Sequence, residues 1–181
     1  HRQSLMPART LTQQAGVTTF GVKAAGWLQG LTRAMQALRA AEAQLPLQFA
    51  GATGTLAAYG AQGEALKHAL ARRLKLRSVP PWHTERGVVR ELAAALAGLA
   101  AAGGKMANDL LLLAQTEVGE VSEAAAPGRG GSSALPHKRN PVASVGALAA
   151  ARRAPPALAS VFGAFDHAHE RAAGAWHVEM P

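Results

Sequence analysis

Apolar residues recur every three or four positions along much of this chain, which is the spacing of one face of an α-helix. The first such segment runs from about Val17 to Ala43, and the second from about Gly63 to Leu76. The longest runs from about Thr84 to Gln115, with Thr84 predicted as its N-cap. Its apolar seam consists of Val88, Leu92, Ala95, Leu99, Ala102, Met106, Leu110 and Leu113.

The remaining segments complete a helical pattern. We predict a helix from Pro141 to about Arg153, a break at Pro155-Pro156, and a further helix from about Pro156 to His167. Residues 1–16 are polar and predicted to be irregular. No segment alternates apolar and polar residues as a strand does, so the predicted fold class is all-α, a bundle of long helices.

The stretch from Gly128 to Pro141 carries most of the candidate chemistry. It is predicted to be a loop because turn-forming residues punctuate it: Pro127, Gly128, Gly130, Gly131 and Pro136. It contains the hydroxyls of Ser132 and Ser133 and the ammonium of Lys138. Asn140-Pro141 then predicts a helix start, with Asn140 as N-cap and proline in the first turn. A cationic loop at a helix N-terminus favours carboxylate binding.

The run from Gly131 to Pro141 resembles the signature loop of the fumarase/aspartase superfamily, Gly-Ser-Ser-x-Met-Pro-x-Lys-x-Asn-Pro. Leu135 replaces the usual Met, a change that conserves volume. We call residues Gly128 to Pro141 the signature loop. This version of the motif resembles two branches, the adenylosuccinate lyases and the bacterial 3-carboxy-cis,cis-muconate cycloisomerases.

A second segment separates the two branches. The run from Arg9 to Ala15 resembles the superfamily pattern Arg-Thr-His-x-Gln-x-Ala, but Leu11 stands at the His position. In many members that His pairs with a Glu just after the signature loop, and Val145 stands at that Glu position. Both halves of the pair are therefore absent, which argues against an adenylosuccinate-lyase-like eliminase and favours the cycloisomerase branch.

The resemblance implies a reaction that removes a proton from the carbon next to a carboxylate. It assigns the base to Ser132, whose alkoxide would be favoured by loop N–H groups and by the charge of Lys138. Lys138 and Asn140 would hold the substrate carboxylate, aided by the following helix, and Ser133 would donate a further hydrogen bond. For a cycloisomerase the leaving group is the substrate's own carboxylate, so the reaction interconverts 3-carboxy-cis,cis-muconate and 4-carboxymuconolactone in protocatechuate (β-ketoadipate) catabolism.

The same resemblance implies further contacts and partners. Thr53 and Thr55, in a small-residue loop, are weaker candidates for carboxylate binding. No cofactor is expected, because the substrate carboxylate accepts the electrons. Superfamily members are homotetramers with active sites built from three subunits. Residues 1–181 correspond to the central helical-bundle portion of a longer family chain, without its N-terminal segment and C-terminal domain.

Composition narrows the other possibilities. The net charge of +8 invites a nucleic-acid interpretation, but aromatic residues make up only 4% and the basic residues are scattered, so a small polycarboxylate is favoured. We expect no membrane partner and a cytoplasmic protein, because no run of about 18 apolar residues is apparent. The histidines lack the helical spacing of a zinc site, so no metal is predicted. A catalytically inert, truncated helical subunit remains an alternative.

Three tryptophans and two glutamates have structural interpretations. Trp27, Trp82 and Trp176 are interpreted as packing anchors rather than ligand platforms. Glu117 and Glu120 are interpreted as structural, or as caps of loop donors, rather than as an acid/base pair.

Overall fold

The computed structural model describes residues 1–124, 126–171 and 173–179, and the chain is mainly helical, which confirms the predicted class. The four α-helices are α1 (Phe20–Ala43), α2 (Gly63–Leu74), α3 (Gly87–Leu113) and α4 (Val142–Gly163). An antiparallel hairpin of β1 (Leu5–Thr10) and β2 (Gln13–Thr19) precedes them, and 3-10 turns occur at Ala57–Gln62 and Ala175–Glu179.

The first three predicted helices are confirmed within a few residues of their ends, but the prediction that Thr84 caps α3 is wrong. The helix begins at Gly87, and the backbone N–H of Gly87 donates to Glu85 Oε1 at 2.9 Å. A Glu side chain two residues upstream therefore satisfies one of the free N–H groups at the start of α3.

The prediction that residues 1–16 are irregular is also wrong, because they form most of the hairpin. Two features explain why the sequence pattern does not indicate this hairpin. The register shifts between Pro7 and Arg9, which interrupts the alternation expected of a strand. The turn uses Leu11 and Thr12 with φ of 49° and 66°, where Gly or Asn is the usual signal of such a hairpin.

The break predicted at Pro155-Pro156 does not occur, since α4 continues through both prolines. Proline has a φ compatible with a helix, and its cost there is the loss of an N–H donor and crowding against the preceding turn. The two prolines lie just after a boundary between structural units. The chain divides into two compact units, and one boundary between them falls between Arg153 and Ala154.

Unit 1 comprises His1–Ala34 and Leu99–Arg153, and unit 2 comprises Met35–Gly98 and Ala154–Pro181. The signature loop belongs to unit 1, whereas Thr53 and Thr55 belong to unit 2.

In unit 1, Trp27 joins α1 to α3. Its indole Nε1 donates to Asp109 Oδ2 at 2.7 Å, and Lys105 also donates to that carboxylate. Burial opposes ionisation of Asp109, but these two hydrogen bonds outweigh it and keep the pKa of the carboxyl below its usual value. The Phe20 ring packs edge-on against Trp27 at 5.9 Å. Trp27 thus contacts protein groups as a packing anchor would.

Helices α3 and α4 approach closely in unit 1 at Gly104. A Cβ built on Gly104 would lie 2.6 Å from Ala151 Cβ, well inside van der Waals contact. Small residues at this point allow the two backbones to come together. Its neighbour Gly103 is different, because a Cβ there would meet nothing within 4 Å.

The long helices leave large apolar side chains uncovered. Val22 and Leu28 on α1 are each 65% exposed, and Phe162 on α4 is 51% exposed. None of the large side chains in the described part of the chain is fully buried. By length and composition α3 could cross a membrane, contrary to the expectation from the sequence, but core helices of soluble proteins have the same properties. Exposed apolar surface of this kind is typical of interaction sites.

Replacing Gly104 by Ala should destabilise the protein, because the new methyl group collides with Ala151. We expect a loss of about 1–3 kcal/mol for such overpacking. Gly103→Ala is the matched control, and should gain about 0.5–1 kcal/mol from the better helix propensity of Ala. Thermal unfolding of both variants measures the difference, and equal midpoints would contradict the close crossing.

Candidate active site

The signature loop forms one wall of a cleft of about 210 Å³ in unit 1. Its lining includes the cationic side chains of Arg129, Lys138 and Arg139 together with Asn140 and Glu123. Excluding Asn140, these groups carry three positive charges and one negative charge. The cleft is therefore suited to an anionic ligand.

The loop closes on itself through Gly130 and Asn140. The Asn140 backbone N–H donates to the Gly130 carbonyl at 2.7 Å, and the Asn140 side-chain amide donates to the Gly131 carbonyl at 3.4 Å. Gly130 has φ of +73°, and a Cβ there would lie 2.6 Å from the Asn140 carbonyl oxygen. Only glycine fits this position without strain or collision.

Ser132 lies inside this closed loop, and its hydroxyl oxygen already accepts two hydrogen bonds. The backbone N–H groups of Leu135 and Ala134 point to Ser132 Oγ at 3.2 and 3.4 Å. Donors on this oxygen favour its negatively charged form. In the residues that the structure describes, Lys138 Nζ makes no hydrogen bond or ion pair with Ser132, and the Lys138 side chain is exposed. Ser133 is exposed as well.

Glu123 is a residue of this cleft that the sequence analysis did not identify. Its Oε1 accepts hydrogen bonds from the backbone N–H of Ser144 at 2.8 Å and from Ser144 Oγ at 2.7 Å. Its Oε2 accepts the N–H of Ala143 at 3.1 Å. The hydrogen bond from Ser144 Oγ, followed by that from the Ser144 backbone, lowers the pKa of Glu123 below its usual range.

These contacts correct the predicted start of α4. The helix begins at Val142, one residue later than expected, and Glu123 supplies the cap that was assigned to Asn140. Asn140 instead uses its side chain within the loop. Because the Glu123 carboxylate takes the N–H groups of Ala143 and Ser144, these donors are not open to a substrate carboxylate. The sequence offers no local signal for a cap so far upstream.

Arg9 ties the hairpin to the segment that leads into the signature loop. Its Nη1 and Nη2 donate to the two carboxylate oxygens of Glu120 at 2.9 and 2.5 Å, a bidentate pair that raises the pKa of Arg9 and lowers that of Glu120. Glu120 thus has a structural partner, whereas Glu117 is exposed. The pair fixes β1, the strand that leads into the Leu11-Thr12 turn, relative to this segment.

In unit 2, Thr53 and Thr55 lie side by side. Their hydroxyl oxygens are 3.3 Å apart, and Thr55 Oγ1 also accepts the backbone N–H of Ala57 at 3.4 Å. Both residues are exposed. The structure thus brings the two threonines to each other, and it places Ser132 in the loop that also contributes the cationic residues of the unit 1 cleft.

Unit 2 contains a second polar cleft, of about 240 Å³, which the sequence analysis did not anticipate. Its lining includes His83, His167, Arg171 and Trp176. His83 Nε2 lies 2.9 Å from the Gly51 carbonyl oxygen, and 3.4 Å from both Gln48 Nε2 and Arg171 Nη2. Within the described residues, the buried His83 Nδ1 and His167 Nε2 have no hydrogen-bond partner. Unpaired buried nitrogens are costly and leave partners for a polar ligand.

Neither cleft contains a recognisable metal-binding arrangement. Over the described ranges, no group of three or more His, Cys, Asp or Glu residues could hold a metal ion. The tryptophan of the second cleft also contacts protein, since the Trp176 and His177 rings are 5.0 Å apart. Trp82 donates its Nε1 to the Leu47 carbonyl at 3.3 Å.

The helical fold and the signature loop are those expected of the fumarase/aspartase superfamily, and comparison with known proteins gives the same result. A sequence profile described as lyase matches residues 1–154. The chain therefore belongs to the lyase family of the fumarase/aspartase superfamily.

Individual proteins of this family are also similar to the chain. A 3-carboxy-cis,cis-muconate cycloisomerase of Bradyrhizobium diazoefficiens is 49% identical over all of this chain and 41% of its own length. A nitrosuccinate lyase of Streptomyces davaonensis is 45% identical over 99% of the chain and 40% of its own length. The crystal structure of 3-carboxy-cis,cis-muconate lactonizing enzyme from Pseudomonas putida superposes with a TM-score of 0.88 at 41% identity, over 99% of this chain and 39% of that one. The chain thus spans about two fifths of each protein.

Gly130→Ala should open the signature loop, since a residue with a Cβ pays about 1–2 kcal/mol for the left-handed conformation even before the collision with Asn140. Opening should rise about five- to thirty-fold, and trypsin cleavage after Arg129, Lys138 and Arg139 should accelerate accordingly. Gly131→Ala is the control, because a Cβ there meets nothing within 4 Å. If both variants were cleaved at the parental rate, the closed loop would be disproved.

Proposed function

We propose that the protein containing this chain is an intramolecular lyase, a cycloisomerase that interconverts 3-carboxy-cis,cis-muconate and 4-carboxymuconolactone in protocatechuate (β-ketoadipate) catabolism. The observation that carries this is the Ser132 hydroxyl, which accepts two backbone N–H groups in the loop whose residues Arg129, Lys138 and Arg139 line a cationic cleft. The similarity to named cycloisomerases supports the choice of substrate.

Ser132 is the base in this mechanism. As an alkoxide it takes a proton from the CH2 group that joins the lactone ring to a carboxylate, and the electron pair left on that carbon spreads onto this carboxylate. The electron pair then returns to form a C=C bond to the neighbouring ring carbon, the carbon–oxygen bond of that carbon breaks with its electrons leaving on the oxygen, and the lactone opens to a carboxylate. In the reverse direction the carboxylate adds and Ser132 returns the proton.

The backbone supplies part of the stabilisation that such a base needs. The N–H groups of Ala134 and Leu135 are fixed by the loop and already point to the serine oxygen, so no reorganisation is needed when charge develops there. Lys138 and Asn140 stabilise the enediolate-like carboxylate, and Ser133 donates to the same group. The substrate carboxylate is the electron sink, so the step needs no cofactor.

The complete protein is proposed to be a cytoplasmic homotetramer in which this chain is the central helical portion. Two observations support this. The helices expose apolar side chains such as Leu28 and Phe162, and the chain spans only about two fifths of its relatives. In such an assembly Thr53 and Thr55 contact a substrate carboxylate held by the loop of a neighbouring subunit. The partner is a small polycarboxylate, with no role for nucleic acid or a membrane.

The test is the ultraviolet absorbance of 3-carboxy-cis,cis-muconate mixed with the full-length protein. We expect the diene absorbance to fall with the parent, and Ser132→Ala to slow this by at least about 10²-fold, which is the low end for loss of a positioned base. Ser122→Ala is a control, because Ser122 is an exposed serine just upstream of the loop. Retained turnover in Ser132→Ala would exclude serine as the base.

Substrate competition distinguishes the alternatives. The same protein is offered adenylosuccinate and nitrosuccinate, because a nitrosuccinate lyase is among its relatives. Turnover of either substrate with none of carboxymuconate would replace the cycloisomerase proposal by an eliminase. Assembly with no turnover of any of the three would indicate an inert helical subunit.

A further inference from the structure

Glu123 and the first turn of α4 form a clasp around the signature loop. Glu123 lies five residues before Gly128, and its partners Ala143 and Ser144 lie just after Pro141. Three hydrogen bonds of 2.7 to 3.1 Å close this clasp. Ser144 is buried, with 5% exposure, whereas Ala143 is exposed and Glu123 is half-buried.

The clasp continues into the loop by backbone hydrogen bonds. The N–H of Val142 donates to the Asn140 carbonyl at 2.9 Å, and the N–H of Asn140 donates to the Gly130 carbonyl at 2.7 Å. Glu123 therefore fixes the start of α4, the start of α4 fixes Asn140, and Asn140 fixes Gly130. Releasing Glu123 frees the end of the loop next to Lys138.

Glu123 also alters the electrostatics of the cleft that it lines. The N-terminus of a helix carries roughly half a positive charge and favours an anion. Here the anion is the side-chain carboxylate of Glu123, so the N-terminus of α4 is already occupied by a group of the protein itself. The Lys138 ammonium, by contrast, makes no hydrogen bond or ion pair within the part of the chain that the structure describes, and the side chain is exposed. A substrate carboxylate is thereby directed to the Lys138 and Asn140 side of the cleft.

We propose that Glu123 is a positioning residue of the active site: its carboxylate occupies the N-terminus of α4, holds the signature loop closed and directs the substrate carboxylate to Lys138. For catalysis this inference rests on the proposed function. Glu123 itself takes no part in the proton transfer. Three cationic groups surround Glu123. The positive charge of Arg129 lowers the pKa of Glu123, and Lys138 and Arg139 line the same cleft.

The test compares Glu123→Ala with Glu123→Gln in the full-length protein. Glu123→Ala should lower kcat by at least tenfold and accelerate trypsin cleavage of the loop. Added formate, a small carboxylate, should bind the vacated helix N-terminus and restore part of kcat. Glu117→Ala is the matched control, an exposed Glu of the segment after α3, and should behave as the parent with and without formate. Unchanged kcat in Glu123→Ala, or a loss that formate does not relieve in a folded variant, would overturn the proposal.

The pH dependence gives a second readout. The lowered pKa of Glu123 means that its stabilisation is complete above the ordinary value of 4.5 and is lost as the pH falls through the lower folded value. Glu123→Gln cannot titrate, so its melting temperature should fall less than that of the parent over this acidic range. Parallel curves for the two proteins would contradict the clasp.

Trypsin cleavage separates this inference from the proposed function. If the parent failed to turn over carboxymuconate, formate should still slow cleavage of Glu123→Ala after Lys138 and Arg139. Protection without turnover would retain the clasp and reject the cycloisomerase. Turnover in the parent, with no effect of Glu123→Ala on cleavage or kcat, would reject the clasp alone.

Discussion

The carboxylate of Glu123 at the start of α4 is the interaction on which the candidate site depends. A helix begins with backbone N–H groups that have no partner within the helix, and something must satisfy them. Here they are satisfied by a side chain from before the signature loop. The loop is thus held at both ends, and its glycines can adopt the turn that places N–H groups on Ser132 without the loop opening.

The charges of the cleft follow from this arrangement. An anion already lies at the helix N-terminus, so the attraction that remains comes from side chains, above all from the exposed ammonium of Lys138. In the proposed reaction, the exposed ammonium of Lys138 can follow charge that appears on a substrate carboxylate. The fixed N–H donors on Ser132 would stabilise the proposed base instead. The proposed mechanism therefore separates stabilisation of the base from stabilisation of the substrate.

The apolar surfaces of α1, α3 and α4 place the site in a wider context. Small residues such as Gly104 permit close helix crossings within unit 1, while Val22, Leu28 and Phe162 remain exposed. Covering these side chains would contribute roughly 25 cal/mol for each Å² of apolar area removed from water. This gain is available only through contact with further protein. It gives a physical reason for the proposed assembly, in which one chain supplies a loop and another supplies Thr53 and Thr55.

The sequence alone determined helices α1, α2 and α3 and the chemical content of the signature loop. Helical periodicity, glycine turns and the Ser-Ser pair are local properties, read from residues a few positions apart, and these predictions of the fold are confirmed. Tertiary structure decided the β-hairpin with its unusual Leu11-Thr12 turn, the unbroken α4, and the cleft around His83 and His167. It also decided the cap of α4, since Glu123 and Ser144 are separated by 21 positions. Their contact depends on the path of the chain between them, which no local propensity specifies.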